Sequence, residues 1–372
     1  VYFKTYGGND NLQHRLSWEE KTTRPSEFSW DTQLHDSDHY GFVLNPSHFF
    51  IKDHQWDISH SSSLLVKGDT INVSNFELVR NNQKILIDGK ISNQDSHKLN
   101  FDVTNLELSE ISPFISSDYP MSGIINLDGH ISNPFNSLGY EGDGKLTNFI
   151  VNNQNVGDIT VNSYWNKFKQ AITTTGNLRY IEEKTFDFAG DYYLFEEEDN
   201  LDFDLNFDYT NLQFTNAFLD PDVVSEIRGF INGHLDLTGD LNQPILDGKV
   251  SLTSGSAYVD LLGVHFGVDG PIEVDQYGFY INGIPIFDED ANTGLLIGSV
   301  FHDNFKNFNF DLQFDLEPQV VNNTPLFGNS EFSRFLVMNL PYDHDALYYG
   351  KGYVTGTANI FGYTDNLEIN VD

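Results

Sequence analysis

The chain has 372 residues, 55 of them acidic against 20 basic, for a formal charge of -35. That balance excludes a nucleic-acid binder, which needs a basic stripe, and excludes docking on anionic headgroups by charge. Phe, Trp and Tyr make up 14% of the chain, so it folds, and the absence of cysteine excludes disulfides, thiolate zinc sites and a cysteine nucleophile.

In chain order, Val1, Tyr2, Phe3 and Lys4 carry no signal-peptide core, and no run of 18 apolar residues exists to cross a bilayer as a helix. Five of the twelve histidines fall between 35 and 60, at 35, 39, 48, 54 and 60. His35 and His39 would align on a helix, but Asp36, Ser37, Asp38, Tyr40 and Gly41 read as loop around them, so solvated histidines are expected and no metal site. From there the apolar period is two. Leu99, Phe101 and Val103 alternate with polar residues, as do Leu201, Phe203, Leu205, Phe207 and Tyr209, and then Phe308, Phe310, Leu312, Phe314 and Leu316. One face of each strand is therefore apolar and the other acidic or amidic. Turn signals recur at short intervals (Asn81-Asn82, Asp88-Gly89, Asn152-Asn153, Asp247-Gly248), and about one strand per 12 residues gives roughly 30 strands. Three short helices are predicted at 112–115, 220–227 and 330–338, each opened by Ser or Asp with Pro or an acid in its first turn. The last residues, Leu367 to Asp372, read as a strand in mid-course, so the chain is expected to be part of a longer one.

A repeat follows the predicted helices. The segment from Gly123 through Ile125, Leu127 and Gly129 to Pro134 aligns without a gap with that from Gly233 through Leu235, Leu237 and Gly239 to Pro244, and a third copy carries Gly356 and Gly362. The matching glycines lie 110 and then 123 residues apart. Such repeats point to a stacked, elongated architecture. Two glycines per copy share the parity of the apolar residues, which calls for a close approach at those points: a bound ligand, sheet curvature or a packed helix.

The unit of a short helix, Gly-x-Leu-x-Leu-x-Gly, Asn-Pro or Gln-Pro and a further Gly-x-Leu strand (Gly144-Lys145-Leu146, Gly248-Lys249-Val250) resembles the AsmA-like superfamily, and within it the TamB family, in its Bacteroidetes form. Further segments carry the same resemblance in the same order: Trp56-Asp57-Ile58 leading to Asp88-Gly89-Lys90, Asp288 to Gly294 leading to Gly298, and Tyr348-Tyr349-Gly350-Lys351-Gly352. The resemblance implies a β-rich segment over 1–110, repeat units over 111–226 and 227–345, and the start of another over 346–372. It also implies a long antiparallel sheet curled into a trough with an apolar interior, in the periplasm. Leu99, Phe101, Val103, Ile125, Leu127, Leu201, Phe203, Leu205, Phe207, Tyr209, Leu235, Leu237, Phe308, Phe310, Leu312, Phe314 and Leu316 would line it against phospholipid acyl chains. The implied partners are the inner membrane, through an N-terminal helix, and an outer-membrane barrel of the BamA/TamA type, through a C-terminal region; both regions are missing from this sequence.

Catalytic signals are thin. Asp288, Asp290 and Asn292 mimic the start of a calcium loop, but the glycine comes one place late and Ser299 stands where a bidentate Glu is needed, so a hairpin turn is expected. No Gly-x-Ser-x-Gly, His-Glu-x-x-His or phosphate-binding loop occurs. The expectation is no enzyme and no cofactor. The rivals to a lipid conduit are a structural or adhesive β-repeat protein with a closed core, and a carbohydrate-active β-helix, which would need acids and aromatics clustered on an outer face.

Overall fold

The computed structural model describes residues 1–8, 10–18, 25–36, 39–51, 54–115, 120–180, 183–196, 198–218, 224–241, 243–260, 262–317, 320–321, 324–325, 334–342, 344, 349–363 and 366–371. Strand makes up 77% of the described residues, and helix is confined among them to a few short segments. Two units divide it, one of residues 1–150 and 158–176, the other of 151–157 and 177–372.

The first stretch runs β1 (Tyr2–Gly8), β2 (Asn11–Trp18), β3 (Ser26–Asp36), β4 (His39–Leu44), β5 (Ser47–Ile51), β6 (His54–Ile58), β7 (Ser62–Lys67), β8 (Thr70–Arg80), β9 (Gln83–Ile91), β10 (Lys98–Glu107), helix α1 (Leu108–Ile115), β11 (Met121–Ser132), β12 (Gly139–Val151) and β13 (Gln154–Asn166). It continues with β14 (Ala171–Tyr180), β15 (Glu183–Tyr192), β16 (Leu201–Asn211), a 3₁₀ turn (Leu212–Phe218), β17 (Val224–Gly239), β18 (Pro244–Val259), β19 (Val264–Asp275), β20 (Gly278–Phe287), β21 (Thr293–Asp303) and β22 (Lys306–Asp315). Then come the short pair β23 (Val320–Val321) and β24 (Thr324–Pro325), the hairpin β25 (Phe335–Leu340) and β26 (Gly350–Val354), and finally β27 (Thr357–Tyr363) and β28 (Asn366–Val371). Strands β1 to β22, β27 and β28 form one 24-stranded sheet. Its described pairings are antiparallel, and most join consecutive strands as hairpins.

The predicted helices need correction. The first begins four residues earlier than its capping signals place it, at Leu108, so that Pro113 lies inside it. In the second, Val224 to Ile227 belong to β17, where Val224 and Ser225 pair with Val259 and Tyr258 of β18 and Glu226 and Ile227 lie in a register shift, and 219–223 lie outside the described residues. In the third, Phe335 to Met338 are in β25; the rest falls outside the described residues, apart from Arg334, which is in neither helix nor strand. His35 and His39, expected in a loop, end β3 and begin β4.

Alternation alone does not account for the long strands. At Asn75, Asn105, Asn148, Tyr209 and Ser254 the backbone enters the left-handed region, with φ between 49° and 54°. Four of these sites are β-bulges: β8 advances from Val73 to Phe76 while β9 moves only from Gly89 to Ile87, and the same slip occurs at Val103/Leu106, Phe207/Thr210 and Leu252/Gly255. One extra residue flips the parity, so Ile71 and Val73 share a face with Phe76 and Leu78. A carbonyl or carboxylate oxygen braces each bulge. The N–H of Asn75 donates to Asp88 (2.9 Å), that of Asn105 to Asn126 (2.9 Å), that of Asn148 to Asp158 (2.7 Å), that of Tyr209 to Asn232 (2.7 Å), and that of Ser254 to Asp269. In the four registered bulges the bracing residue is the one directly opposite the extra residue. The bulged N–H has left the ladder, and an unmet donor is costly.

Asn126→Ala removes the acceptor of the Asn105 N–H and is expected to cost about 1 kcal/mol in urea unfolding, with Asn126→Asp restoring most of it. Equal stability of all three proteins would show that the brace contributes nothing.

Candidate functional site

Directly paired residues of antiparallel strands project to the same face. In the second unit the registers therefore trace whole rows across ten strands. One row is Phe186, Phe207, Gly233, Val250, Ile272, Ile281, Gly298, Leu312, Ile360 and Ile369. The next is Phe188, Leu205, Leu235, Gly248, Val274, Phe279, Val300, Phe310, Gly362 and Leu367. Neither holds a polar side chain. The row between them, on the other face, is Asp187, Asn206, His234, Lys249, Glu273, Tyr280, Ser299, Asp311, Phe361 and Glu368, with one apolar member. In the first unit the row Gly7, Leu12, Thr32, Phe42, Leu64, Val73, Gly89, Leu99 and Ile131 has one polar member.

Most of these side chains are half-buried, unlike those of a closed sandwich core. In the second unit Leu205 and Phe207 pack on Leu235, Val250 and Val274. Towards β28 the face opens into a cavity of about 610 Å3. Its walls include Leu252 and Ala257 of β18, Phe266 of β19, Ile284 and Ile286 of β20, Leu296 of β21, Phe314 of β22, Ala358 of β27 and Ile369 of β28. In a flat sheet β18 and β28 would stand six steps, about 29 Å, apart. Their meeting around one cavity means that this unit's sheet is curled, apolar side in.

The hairpin β25–β26 packs on this cavity. Phe335 stacks on Phe266 with ring centroids 6.0 Å apart and planes 5° apart, and Val337 and Val354 line the space beside it. The segment that mimicked a calcium loop anchors the hairpin. The Asp288 carboxylate is 7% exposed and accepts from the N–H groups of Asp290 (3.0 Å), Asn292 (2.7 Å) and Leu336 (2.6 Å) and from the Asn292 amide (2.8 Å). Tyr353 donates to Asp290 at 3.0 Å, and the Asn339 N–H donates to the Leu262 carbonyl at 2.8 Å. The turn is the expected hairpin turn between β20 and β21, and its Asp288 and Asp290 side chains hold the hairpin.

The predicted lining residues scatter along this face. Phe314 and Leu316 reach the cavity, while Phe310 and Leu312 sit in the rows beside it. Leu201 pairs with Gly239 and Phe203 with Leu237, on the same face as Leu205 and Leu235. Phe308 lies at the turn end of β22, in a second depression with His302, whose ring it meets edge-on at 6.1 Å. Burial lowers the pKa of that imidazole. Tyr209 sits at a bulge, 55% exposed, and stacks on Phe230 at 4.1 Å, away from the rows. In the first unit Phe101 pairs with Ile87 and Gly129, Val103 with Leu127, and Leu106 with Ile125. Of the repeat glycines, Gly129 and Gly233 mark close backbone approach: an added Cβ would lie 2.4 Å from the carbonyl oxygens of Glu141 and Lys249. At Gly123 it would lie 2.9 Å from the Leu146 side chain and 3.0 Å from the Thr147 carbonyl, and at Gly239 2.6 Å from that of Gln243. The Gly356 carbonyl accepts from the Leu316 N–H at 2.8 Å, and Gly362 pairs with Phe310 and Leu367.

Candidate chemistry elsewhere is sparse among the described residues. His48, His54 and His60 go to separate partners, the Pro25 carbonyl, Glu110 and Glu77. Asp204, His234 and Asp236 converge on the polar face, where the imidazole Nε2 lies 3.5 Å and 2.9 Å from the two carboxylates. No described helix is long and apolar enough to cross a membrane.

Among protein families, the model described as TamB, N-terminal domain, matches residues 9–252. No curated protein and no solved structure matches the chain.

Asp288→Ala strips four hydrogen bonds from the hairpin's anchor and is expected to cost about 3 kcal/mol. Hydrogen exchange at the Leu336 amide would then speed up by about two orders of magnitude, while the β16–β17 amides keep their protection. Unchanged exchange at Leu336 would mean that the hairpin is held by apolar contact alone.

Proposed function

The chain belongs to the TamB family, and from that premise we propose that its apolar face is a groove that carries phospholipid acyl chains through the periplasm between inner and outer membranes. The observation that carries this reading is the pair of uninterrupted apolar rows across ten strands, half-buried rather than sealed. The two tails of a phospholipid hold about 30 methylenes, and at about 0.8 kcal/mol each their exposure to water costs on the order of 20 kcal/mol. A face without polar interruption offsets that cost at every point along its width. It makes no directional demand, so a chain slides across Phe, Leu, Ile and Gly positions without being held at one. The acidic outer face, with -35 overall, keeps a broad sheet soluble and discourages edge-to-edge pairing.

On this reading the protein is no enzyme. It works in the envelope, with an inner-membrane anchor at one end and an outer-membrane barrel partner at the other, and it supports lipid supply, outer-membrane protein assembly or both. Family membership supports the envelope setting; the lipid cargo rests on the rows.

The test is native mass spectrometry with lipid extraction on the purified chain, comparing wild type with Leu312→Asp, a charge at the middle of one row. Co-purifying phospholipid is expected in the wild type and loss of most of it in the variant, with cooperative unfolding retained because the position is half-buried. A wild-type chain that is free of lipid and refuses added fluorescent phospholipid, or a variant that unfolds, would make the face an ordinary core and the protein a structural β-repeat.

A further inference from the structure

The hairpin β25–β26 does not belong to the sheet it interrupts. β22 pairs directly with β27, so the chain between Asp315 and Thr357 leaves the ladder and returns to it without widening it. On that excursion Phe335, Val337 and Val354 come to lie over the apolar face, and Asp288, Asp290 and the Leu262 carbonyl tie the hairpin down. The groove is therefore roofed at this point.

The roofed volume limits what it can hold. A 150 Å3 apolar cavity accommodates benzene, about 25 Å3 per carbon. At that packing 610 Å3 takes about 24 carbons. One acyl chain of 16 to 18 carbons fits with room to slide; two together, at about 32 carbons or more, do not. None of the described residues that line it is charged, so none of them would hold a headgroup. We infer that the roofed stretch is a single-acyl-chain site and that the β25–β26 hairpin sets the number of chains admitted. The inference rests on the groove reading above and adds a constriction to it: a two-tailed lipid passes with one tail beneath the hairpin and the other outside.

The experiment titrates the intact chain with 16-carbon lysophosphatidylcholine, and separately with dipalmitoyl phosphatidylcholine, under native mass spectrometry. One lysolipid per chain is expected at the tight site. Ala358→Phe, which fills the cavity from β27, and Ala257→Phe, which fills it from β18, are each expected to weaken that site at least tenfold with the melting curve still cooperative. In the wild type, lengthening the lysolipid chain is expected to strengthen binding until the cavity is full, near 24 carbons, and not beyond. Two lysolipids held with equal affinity and lost together, or a tight site indifferent to both fillings, would overturn the single-chain site while leaving the groove standing. A wild-type chain that binds neither lipid would overturn both.

Discussion

The structure depends on keeping one face of the sheet apolar along the rows that cross the strands of each unit. A strand alternates faces at each residue, so a strand that must also bend loses its register with its own apolar pattern. The braced bulge solves this. An extra residue in the left-handed region lets the strand turn and flips its parity, and an Asp or Asn on the next strand receives the N–H that the bulge has removed from the ladder. The same device appears in both units, at Asn75 and Asn105 in the first and at Tyr209 and Ser254 in the second. Without it Phe76, Leu106 and Ala257 would face the water.

Curl and apolarity then work together. In the second unit the curl brings strands six steps apart to one cavity, and none of the described side chains that line it is polar. Glycines within the rows let neighbouring backbones approach: at Gly298, with φ of 139°, a Cβ would lie 2.0 Å from the Asp311 carbonyl. The hairpin that covers the cavity is tied down by the Asp288 carboxylate through the Leu336 N–H, by Asp290 through Tyr353 and by the Leu262 carbonyl through the Asn339 N–H.

Much of this was legible in the chain itself. The period-two runs in β10, β16 and β22 give the fold class and the inward parity of Leu205 and Leu312, because alternation is a local property. The helices were harder. Val224 to Ile227 and Phe335 to Met338 carry capping-like residues, but β18 and β26 lie alongside as pairing partners, and long-range pairing overrides local propensity. The bulges left a trace that alternation by itself obscures: the slips Val73-x-x-Phe76 and Val103-x-x-Leu106 are visible once two apolar runs of opposite parity are seen as one strand. Tyr209 was grouped with Phe207 for want of that slip. The walls supplied by β18 to β20 and the roof from β25 carry no local signature, because a cavity is a property of curl and of chain return.

The central claim is that inward positions meet lipid and outward ones do not. A photo-crosslinking amino acid placed in turn at residues 309 to 314 of β22, with irradiation in cells and mass analysis of the adducts, tests it at single-residue resolution. The account predicts phospholipid adducts at 310, 312 and 314 and none at 309, 311 and 313. Adducts of equal yield at both parities, or none at 310, 312 and 314, would contradict it.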